Sequence, residues 1–291
     1  MSNVYTAIEE IARDDALATA AVCDVLDVSR SAFYAWRQRE PTRREQRDAE
    51  LTPLVRAIFW KHRRRYGARR IAEELADLGE CCSPRHVANI LKTQGLRALQ
   101  PKSFVPKTTD SRHTLGYSPN LLLDAPPPTD LDQLWVGDIS YVPLRGGVFC
   151  YLALLMDCFS RYVVGWHLAE TMTEDLVLAA LTMSIRARQP PPDLIHHTDR
   201  GGQYAGTRYR AMLRRAAMRQ SMSRADNVYD NAFTESCFGT IKTELEITEY
   251  EHQQAAQREI AEYLDYYLTE RKHSALGYLT PHQFELTTRP S

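Results

Sequence analysis

The spacing of apolar residues divides the chain into a helical N-terminal part and a mixed C-terminal part. Up to residue 100, apolar positions recur at helical spacing, and Ser29, Ser83, Gly79 and Gly95 stand where helices are expected to begin or end. The predicted helices are Ala16–Cys23, Arg30–Arg39, Leu51–Arg63, Arg69–Leu78 and Arg85–Gln94. Short helices joined by tight turns predict two helix-turn-helix units, over residues 1–48 and 49–100.

Residues 101–130 are rich in proline and lack apolar periodicity, which is typical of a stiff linker. Strand and helix patterns then alternate over residues 131–248, and a helical tail follows over 249–291. The predicted strands are Gln133–Leu144, Val148–Cys158, Tyr162–Leu168, Asp193–His197 and Gln220–Ser223, and the predicted helices are Glu174–Arg188, Thr207–Met218 and Asn231–Glu246. This order predicts an α/β fold, a ribonuclease-H-like mixed sheet preceded by small all-α units.

The composition is that of an ordinary globular chain. Of its 291 residues, 44% are hydrophobic and 25% are charged, which excludes disordered and collagen-like classes. The longest apolar run, Val148–Met156, is too short to span a bilayer, and the first residues do not resemble a secretory signal. We therefore expect a cytoplasmic, nucleoid-associated protein without a membrane partner, in which the six cysteines are small buried residues rather than disulfides or zinc ligands.

The net charge of −1 conceals a strong asymmetry. From Arg30 to Lys107 there are 18 Lys and Arg against 8 Asp and Glu, a net charge of +10, and the rest of the chain carries −11. Such a basic block is typical of proteins that bind the phosphates of nucleic acid, although a solvated helical face has the same composition. The helix-turn-helix pattern in the same block favours DNA binding. The candidate DNA contacts are Arg30, Tyr34, Arg37, Arg64, Arg69 and Arg85.

Three carboxylates occupy positions suited to chemistry. Asp138 lies inside the first predicted strand, Asp199 follows the fourth, and Glu235 lies in the first turns of the late helix. Two aspartates from a sheet and one helical glutamate can converge on a pair of hard cations with oxygen ligands. Such a pair suits in-line displacement at phosphorus.

Other polar residues near these positions have alternative interpretations. Asp157, Asp226 and Asp230 are the other candidate carboxylates, although the last two lie in a turn-rich stretch where Asp is common for local hydrogen bonding. His196 and His197 could ligate a transition metal, but adjacent residues of a strand point to opposite faces of the sheet, so packing or hydrogen bonding is favoured.

Four ordered motifs carry a resemblance to a known family. They are Trp135 to Asp138, the run His197 to Tyr204, the run Ser221 to Arg224, and Tyr229 to Glu235, with 35 residues between Asp199 and Glu235. The chain resembles insertion-sequence transposases of the retroviral-integrase superfamily, specifically the second-frame product of two-frame bacterial insertion sequences. The resemblance extends from about Asp24 to Phe284, including Arg271–Pro281 in the tail, where the role of the Arg271–His273 cluster stays open between a family function and a surface turn.

The resemblance implies a DNA transposase that cleaves at the terminal inverted repeats of its element and joins the 3′-hydroxyl ends to target DNA. Asp138, Asp199 and Glu235 would be both catalytic residues and metal ligands. They would hold two Mg²⁺ ions, for which Mn²⁺ is an expected substitute. Lys242 would contact substrate DNA, and Asn231 would lie on the same helical face as Glu235. The expected partners are double-stranded DNA, a second copy of the chain to form at least a dimer, and the upstream-frame product.

Two other functions stay open. The chain could be a DNA-binding regulator with a vestigial nuclease core, which the presence of all three carboxylates disfavours. It could also be a ribonuclease-H-like nuclease that hydrolyses DNA without joining strands, which the tandem helix-turn-helix units disfavour. Metal-dependent joining of a pre-cut 3′-hydroxyl end separates both from a transposase.

Overall fold

The structure is a computed structural model, and it describes residues 2–14, 18–100, 116–123, 125–224, 238–245 and 249–289. The chain divides into two compact units, residues 1–58 and 59–291. In the described part of the chain, no helix is both long enough and apolar enough to cross a membrane.

The first unit contains three short helices, α1 (Ser2–Asp14), α2 (Thr19–Val25) and α3 (Arg30–Gln38). Ile8, Val22, Cys23 and Phe33 form its small core. The predicted N-cap is confirmed, since Ser29 Oγ accepts a hydrogen bond from the Ala32 amide at 3.4 Å. The sequence prediction missed α1, whose apolar residues stand among acidic ones without a capping signal.

Helix α4 (Arg43–Lys61) begins eight residues before the predicted Leu51. Its start is fixed by reciprocal hydrogen bonds, from the Thr42 amide to Glu45 Oε2 at 2.8 Å and from the Glu45 amide to Thr42 Oγ1 at 3.3 Å. This pair is a capping box, a local signal that precedes the apolar periodicity and was therefore missed.

Helices α5 (Ala68–Asp77) and α6 (Pro84–Thr93) follow in the second unit and pack against each other. Ser83 Oγ accepts a hydrogen bond from the His86 amide, as its predicted capping role requires. Contrary to the prediction that all cysteines are buried, Cys81 is exposed and Cys82 half-buried, because the turn between these helices lies at the surface. Cys23, Cys150 and Cys158 are buried, and Cys237 lies outside the described residues.

The second unit is built on a five-stranded mixed sheet in the order β3-β2-β1-β4-β5. Its strands are β1 (Leu134–Leu144), β2 (Val148–Asp157), β3 (Val163–Ala169), β4 (Ile195–Thr198) and β5 (Arg219–Met222). The predicted antiparallel meander of β1, β2 and β3 is confirmed, and β4 pairs parallel with both β1 and β5. The mixed sheet has the predicted ribonuclease-H-like topology.

Helices cover both faces of the sheet. After α5 and α6, the described part of the second unit contains the helices α7 (Glu174–Arg188), α8 (Gly202–Ala205), α9 (Thr207–Arg215), α10 (residues 238–244), α11 (Gln253–Thr269) and α12 (Pro281–Thr288). On one face the core includes Phe238 and Ile241 of α10 and residues of α11, and on the other it includes residues of α7 and α9. The short α8 was not predicted; it lies directly after the Asp199 turn.

Two further segments join this core. Residues 116–122, from the predicted linker, lie along β5, with the Leu121 amide donating to Ser221 Oγ at 2.9 Å. The tail helix α12 is held by a buried ion network, in which Arg188 of α7 pairs with Glu285 at 2.5 Å and with Asp132 at 3.1 Å. The tail is therefore part of the folded core rather than an appendage.

Candidate active site

The parallel pairing of β1 and β4 places Asp138 and Asp199 at corresponding positions on adjacent segments of the chain. Val136 of β1 is the register partner of His197 of β4. Two residues further along come Asp138, still within β1, and Asp199, directly after the end of β4. Both side chains are half-buried, so a ligand can reach them from solvent.

Gly137 leaves room for side chains of the neighbouring strand. A Cβ atom at Gly137 would lie 3.0 Å from His196 Cε1 and 3.2 Å from Thr198 Cγ2, both on β4. A larger residue would require these two side chains to shift by a few tenths of an ångström, at the position next to Asp138. The glycine thus serves the site through its lack of a side chain, rather than through an unusual backbone conformation.

Asp199 is held by the turn that follows it. Its Oδ1 accepts a hydrogen bond from the Gly201 amide at 2.9 Å, and a Cβ atom at Gly201 would lie only 3.0 Å from the same oxygen. The turn then leads into α8, which carries Tyr204. This arrangement fixes the orientation of the Asp199 carboxylate relative to the sheet.

Lys242 reaches Asp138 from α10. Its Nζ donates a hydrogen bond to Asp138 Oδ2 at 2.7 Å, and the side chains of Lys242 and Asp138 are 43% and 24% exposed. Lys242 is predicted to share a helical face with Glu235, but its contact with Asp138 was not predicted. The structure therefore links α10 directly to Asp138.

A buried phenol is influenced by the charges of the same carboxylates. Tyr204 is 1% exposed, and its hydroxyl has no hydrogen-bond partner among the residues that the structure describes. Burial raises the pKa of Tyr204 well above its usual range, and the charges of Asp199 and Asp138 add to that effect. Tyr204 is thus neutral and electrostatically close to both carboxylates. The sequence prediction included it only as part of a motif.

Two predicted site residues, Glu235 and Asn231, lie outside the described residues, as do Asp226 and Asp230. Within the described ranges, no cluster of three or more His, Cys, Asp or Glu side chains could hold a metal ion. The structure thus brings Lys242 to Asp138, and the catalytic roles of Asp138, Asp199, Glu235 and Asn231 stay predictions.

The two histidines before Asp199 are hydrogen-bonded within the core. His196 Nε2 lies 2.7 Å from the Tyr209 hydroxyl, and His197 bonds Ser221 Oγ at 2.8 Å and Ser223 Oγ at 3.1 Å. Burial lowers the pKa of His196 to about 3, so its imidazole is neutral. The favoured structural role of both is confirmed.

Asp157, the alternative carboxylate in β2, is also structural. It is completely buried and accepts hydrogen bonds from the backbone amides of Asp132, Phe159 and Ser160, at 2.7 to 2.9 Å. Burial raises the pKa of Asp157, and these amides oppose that shift. Its oxygens are occupied by the β2–β3 corner, which leaves it no part in a solvent-facing site.

The basic side chains predicted to bind DNA are found in different environments. Arg30 and Arg37 form ion pairs with Asp24 and Glu9 inside the first unit, and Tyr34 is exposed. In the second unit, Arg69 and Arg85 are exposed, and the exposed Arg64 donates to the Arg97 carbonyl at 3.3 Å. On α6, Asn89 and Lys92 are also exposed and stand four and seven residues after Arg85, which places the three side chains on one helical face.

Comparison with known families matches both parts of this arrangement. Two families, each described as Integrase core domain, match residues 128–227 and 216–281, and a family described as HTH-like domain matches residues 45–104. These ranges contain the carboxylate pair and helices α5 and α6.

Several curated proteins are similar over most of the chain. The transposase InsF for insertion sequence IS3A of Escherichia coli is 38% identical over 91% of this chain and 93% of its own. The uncharacterized 31 kDa protein of insertion element IS600 of Shigella sonnei is 38% identical over 90% and 97%, and the transposase for insertion sequence element IS904 of Lactococcus lactis is 35% identical over 85% and 98%.

Solved structures are similar at lower identity. The HTLV-2 integrase catalytic core domain in complex with magnesium is 16% identical with a TM-score of 0.42, covering 54% of this chain and 97% of its own. The simian T-cell lymphotropic virus intasome is 15% identical with a TM-score of 0.47, covering 81% and 76%.

The fold and the matched domains define an enzyme with an integrase catalytic core and a helix-turn-helix module. The chain belongs to the family of insertion-sequence transposases that includes InsF of IS3.

Proposed function

We propose that the chain cleaves DNA at the ends of its element and joins the 3′-hydroxyl ends to target DNA, at a divalent-metal site centred on Asp138 and Asp199. The register of β1 and β4 supports this proposal, because Asp138 and Asp199 each follow a pair of register partners, Val136 and His197, by two residues. The family supports the general activity, and the site argues for the chemistry.

The carboxylate pair suits a hard divalent cation. Its donors are carboxylate oxygens on a half-buried edge. Both ring nitrogens of the nearby His197 and the Nε2 atom of His196 are engaged in core hydrogen bonds, which disfavours a transition-metal site. Asp138 and Asp199 would hold Mg²⁺, with Mn²⁺ as a substitute and Glu235 completing the set for a second ion. Such ions, when bound, activate the attacking oxygen and stabilise the leaving oxygen of a phosphodiester.

The remaining residues orient the carboxylates and the DNA. The Gly201 amide holds the Asp199 carboxylate, and Lys242 brings a positive charge to Asp138. We propose that Lys242 also contacts a phosphate of the substrate DNA, because 43% of its side chain is exposed beside the site. Asn231, which the sequence predicts to begin the helix that contains Lys242, is also proposed to contact DNA.

Helix α6 is the proposed recognition helix. Arg85, Asn89 and Lys92 form one exposed helical face, and the side chains are of types that contact bases and phosphates. Arg64 and Arg69 would add phosphate contacts, and Arg30, Tyr34 and Arg37 would do so in the first unit. Handling two ends of an element requires at least two copies of the chain, and a fusion with the upstream-frame product is proposed to improve recognition of the ends.

A strand-joining assay tests the proposed site. The purified chain is incubated with Mg²⁺ and a labelled duplex that carries a pre-cut 3′-hydroxyl end. Asp138→Asn, Asp199→Asn and Glu235→Gln are each expected to abolish joining, because each removes a metal ligand, while the duplex is still shifted in a gel. Asp175→Asn is the matched control, since Asp175 is an exposed aspartate in a surface ion pair with Arg208.

Each outcome has a distinct meaning. Substantial joining by Asp138→Asn or Asp199→Asn would contradict the proposed site. Cleavage without joining would favour a hydrolytic nuclease, and DNA binding without either reaction, even with the upstream-frame product fused, would favour a regulator with a vestigial core.

A further inference from the structure

Residues Arg271–His273, between α11 and the 3₁₀ turn at Ser274–Leu276, form a buried polar cluster that we call the latch. Arg271 is 2% exposed, and Lys272 and His273 are also buried. Sequence analysis left this cluster open as a surface turn. Burial of three basic residues is costly unless each is paired, so the partners of the latch indicate what it does.

Arg271 holds helix α10. Its Nε and Nη2 atoms donate to the two carboxylate oxygens of Glu244 at 2.7 and 2.5 Å, and the Tyr263 hydroxyl donates to Glu244 at 3.3 Å. Glu244 ends the described helical residues of α10, two positions after Lys242. A two-point guanidinium–carboxylate contact fixes orientation as well as distance, so Arg271 fixes the end of α10 that carries Lys242.

Lys272 holds helix α5 of the helix-turn-helix module. Its Nζ donates to the Glu73 carbonyl at 3.0 Å and to Asp77 Oδ2 at 2.5 Å, and its backbone amide donates to the Tyr66 hydroxyl at 2.7 Å. Arg70 of α5 donates in return to the Lys272 carbonyl at 2.9 Å. Neighbouring residues of one short segment thus bind two different elements.

The residues between α4 and α5 also contact helix α11. His62 stacks on Tyr66 at 3.7 Å and bonds the Tyr266 hydroxyl at 2.9 Å, while the Arg65 guanidinium lies 4.7 Å from the centre of the Tyr266 ring. Part of the basic block that the sequence assigned to DNA therefore packs against the tail. This contact makes the latch a rigid connection rather than a single ion pair.

We propose that the latch positions Lys242: Arg271 holds α10 so that the Lys242 ammonium meets Asp138, and Lys272 transmits the position of α5 to α10. Arg271 is accordingly a positioning residue, since it touches Glu244 and not the carboxylate pair. The second half of this inference rests on the proposed binding of DNA by the helix-turn-helix module.

The first test needs no DNA and no activity. An amine-reactive reagent labels the purified full chain, and mass spectrometry follows the rate at Lys242. Arg271→Lys is expected to raise this rate several-fold, towards that of Asp138→Asn, because Lys242 is no longer held on Asp138. If Arg271→Lys does not fold, Glu244→Gln replaces it. This variant keeps the shape of Glu244 and is likewise expected to raise the labelling rate at Lys242. A Lys242 rate equal to that of the wild type in a folded variant would overturn the inference.

The second test follows hydrogen exchange at the amides of residues 238–245, with and without a duplex carrying the element end. The duplex is expected to slow exchange there in the wild type, and Lys272→Met is expected to remove that slowing while the Kd for the duplex stays within about twofold. Lys61→Met is the control. Lys61 lies 3.7 Å from Glu74 and Lys272 lies 3.8 Å from the same carboxylate, but Lys61 makes no bond to the latch.

The two tests fail in distinguishable ways. Equal slowing in Lys272→Met and the wild type would overturn the transmission by Lys272. Absence of duplex binding by the wild type would contradict the proposed function of the module, and it would leave the labelling result as the measure of Arg271.

Discussion

Two groups of basic side chains in the second unit have the same chemistry and opposite surroundings. Arg85 and Lys92 of α6 project into solvent, whereas Arg271 and Lys272 of the latch are buried against acidic partners. An exposed cation exchanges one counterion for another at little cost in free energy. When one member of a buried ion pair is removed, the other charge is left buried without a partner, which is strongly destabilising. Charge density along the sequence therefore indicates where cations are, but burial decides whether they bind DNA or hold the fold.

The largest effect is expected at Arg271. Arg271→Met leaves Glu244 buried without its partner, and we expect the free energy of unfolding to fall by about 3–5 kcal/mol in urea titrations. Lys92→Met on the exposed face is expected to change it by less than about 0.5 kcal/mol.

The double variant Arg271→Met/Glu244→Met separates charge from packing. Because it removes both members of the ion pair, it is expected to regain most of the lost stability. Equal losses in the single and the double variant would show that the latch stabilises the fold by shape alone.

Buried histidines make stability depend on pH. Burial lowers the pKa of His273 to about 2, with the Arg271 charge adding to the effect, and burial lowers that of His196 to about 3. In the unfolded chain both titrate near pH 6.5, so below that pH the unfolded state binds protons that the folded state does not. Stability is therefore present in full above about pH 6.5 and falls as the pH drops towards the folded-state values.

At pH 5 each of these histidines is expected to lower the free energy of unfolding by about 2 kcal/mol relative to pH 8. Urea titrations at the two pH values measure the difference. His273→Gln should flatten the dependence by about one histidine's share, and an unchanged slope would mean that His273 is protonated in the folded protein.

Substitutions on the exposed face of α6 should change the salt dependence of DNA binding rather than the free energy of unfolding. Lys92→Ala is expected to weaken binding of the element end and to reduce the slope of log K against log salt by about 1, if it neutralises one phosphate. Arg85→Ala is expected to relax sequence preference as well, by about 1–3 kcal/mol at one base pair, if it reads a base edge.

Arg208→Ala serves as the control for α6, because Arg208 is equally exposed but pairs with Asp175 on the catalytic core. The same loss of affinity in Arg208→Ala would mean that binding follows total charge and that α6 has no special role.

Elements with local signals were predictable from sequence. The helix Glu174–Arg188 was predicted with its observed bounds, because acidic residues begin it and prolines follow it. The meander was predicted because Gly146 and Gly147 mark its first turn, and both have positive φ. Asp138 and Asp199 were singled out from motifs within the first strand and directly after the fourth, and these two strands are paired in the sheet.

Contacts between distant segments were not predictable in this way. Arg271 and Glu244 are 27 residues apart and share no periodic pattern, so no local rule joins them. The same holds for Lys272 and Asp77, 195 residues apart. Only the packed structure shows that Arg271–His273 are buried, because burial depends on which elements the fold brings together.

The smallest expected effects concern two buried tyrosine hydroxyls. They extend the comparison of side chains with different surroundings from charged groups to neutral ones. Tyr209→Phe is expected to lower stability by about 1 kcal/mol, because the Tyr209 hydroxyl is bonded to His196 at 2.7 Å. Tyr204→Phe is expected to leave stability unchanged or raise it by up to about 1 kcal/mol, because within the described part of the chain its buried hydroxyl has no partner to lose.

The strand-joining assay then decides whether the Tyr204 hydroxyl is idle. Its closeness to Asp138 and Asp199 gives it a path to the reacting atoms that Tyr209 lacks. A Tyr204→Phe variant that is as stable as the wild type and joins strands normally would mean that the phenol only fills space. The same stability with slower joining would mean that a buried polar group was retained at a cost to the fold because the carboxylates use it.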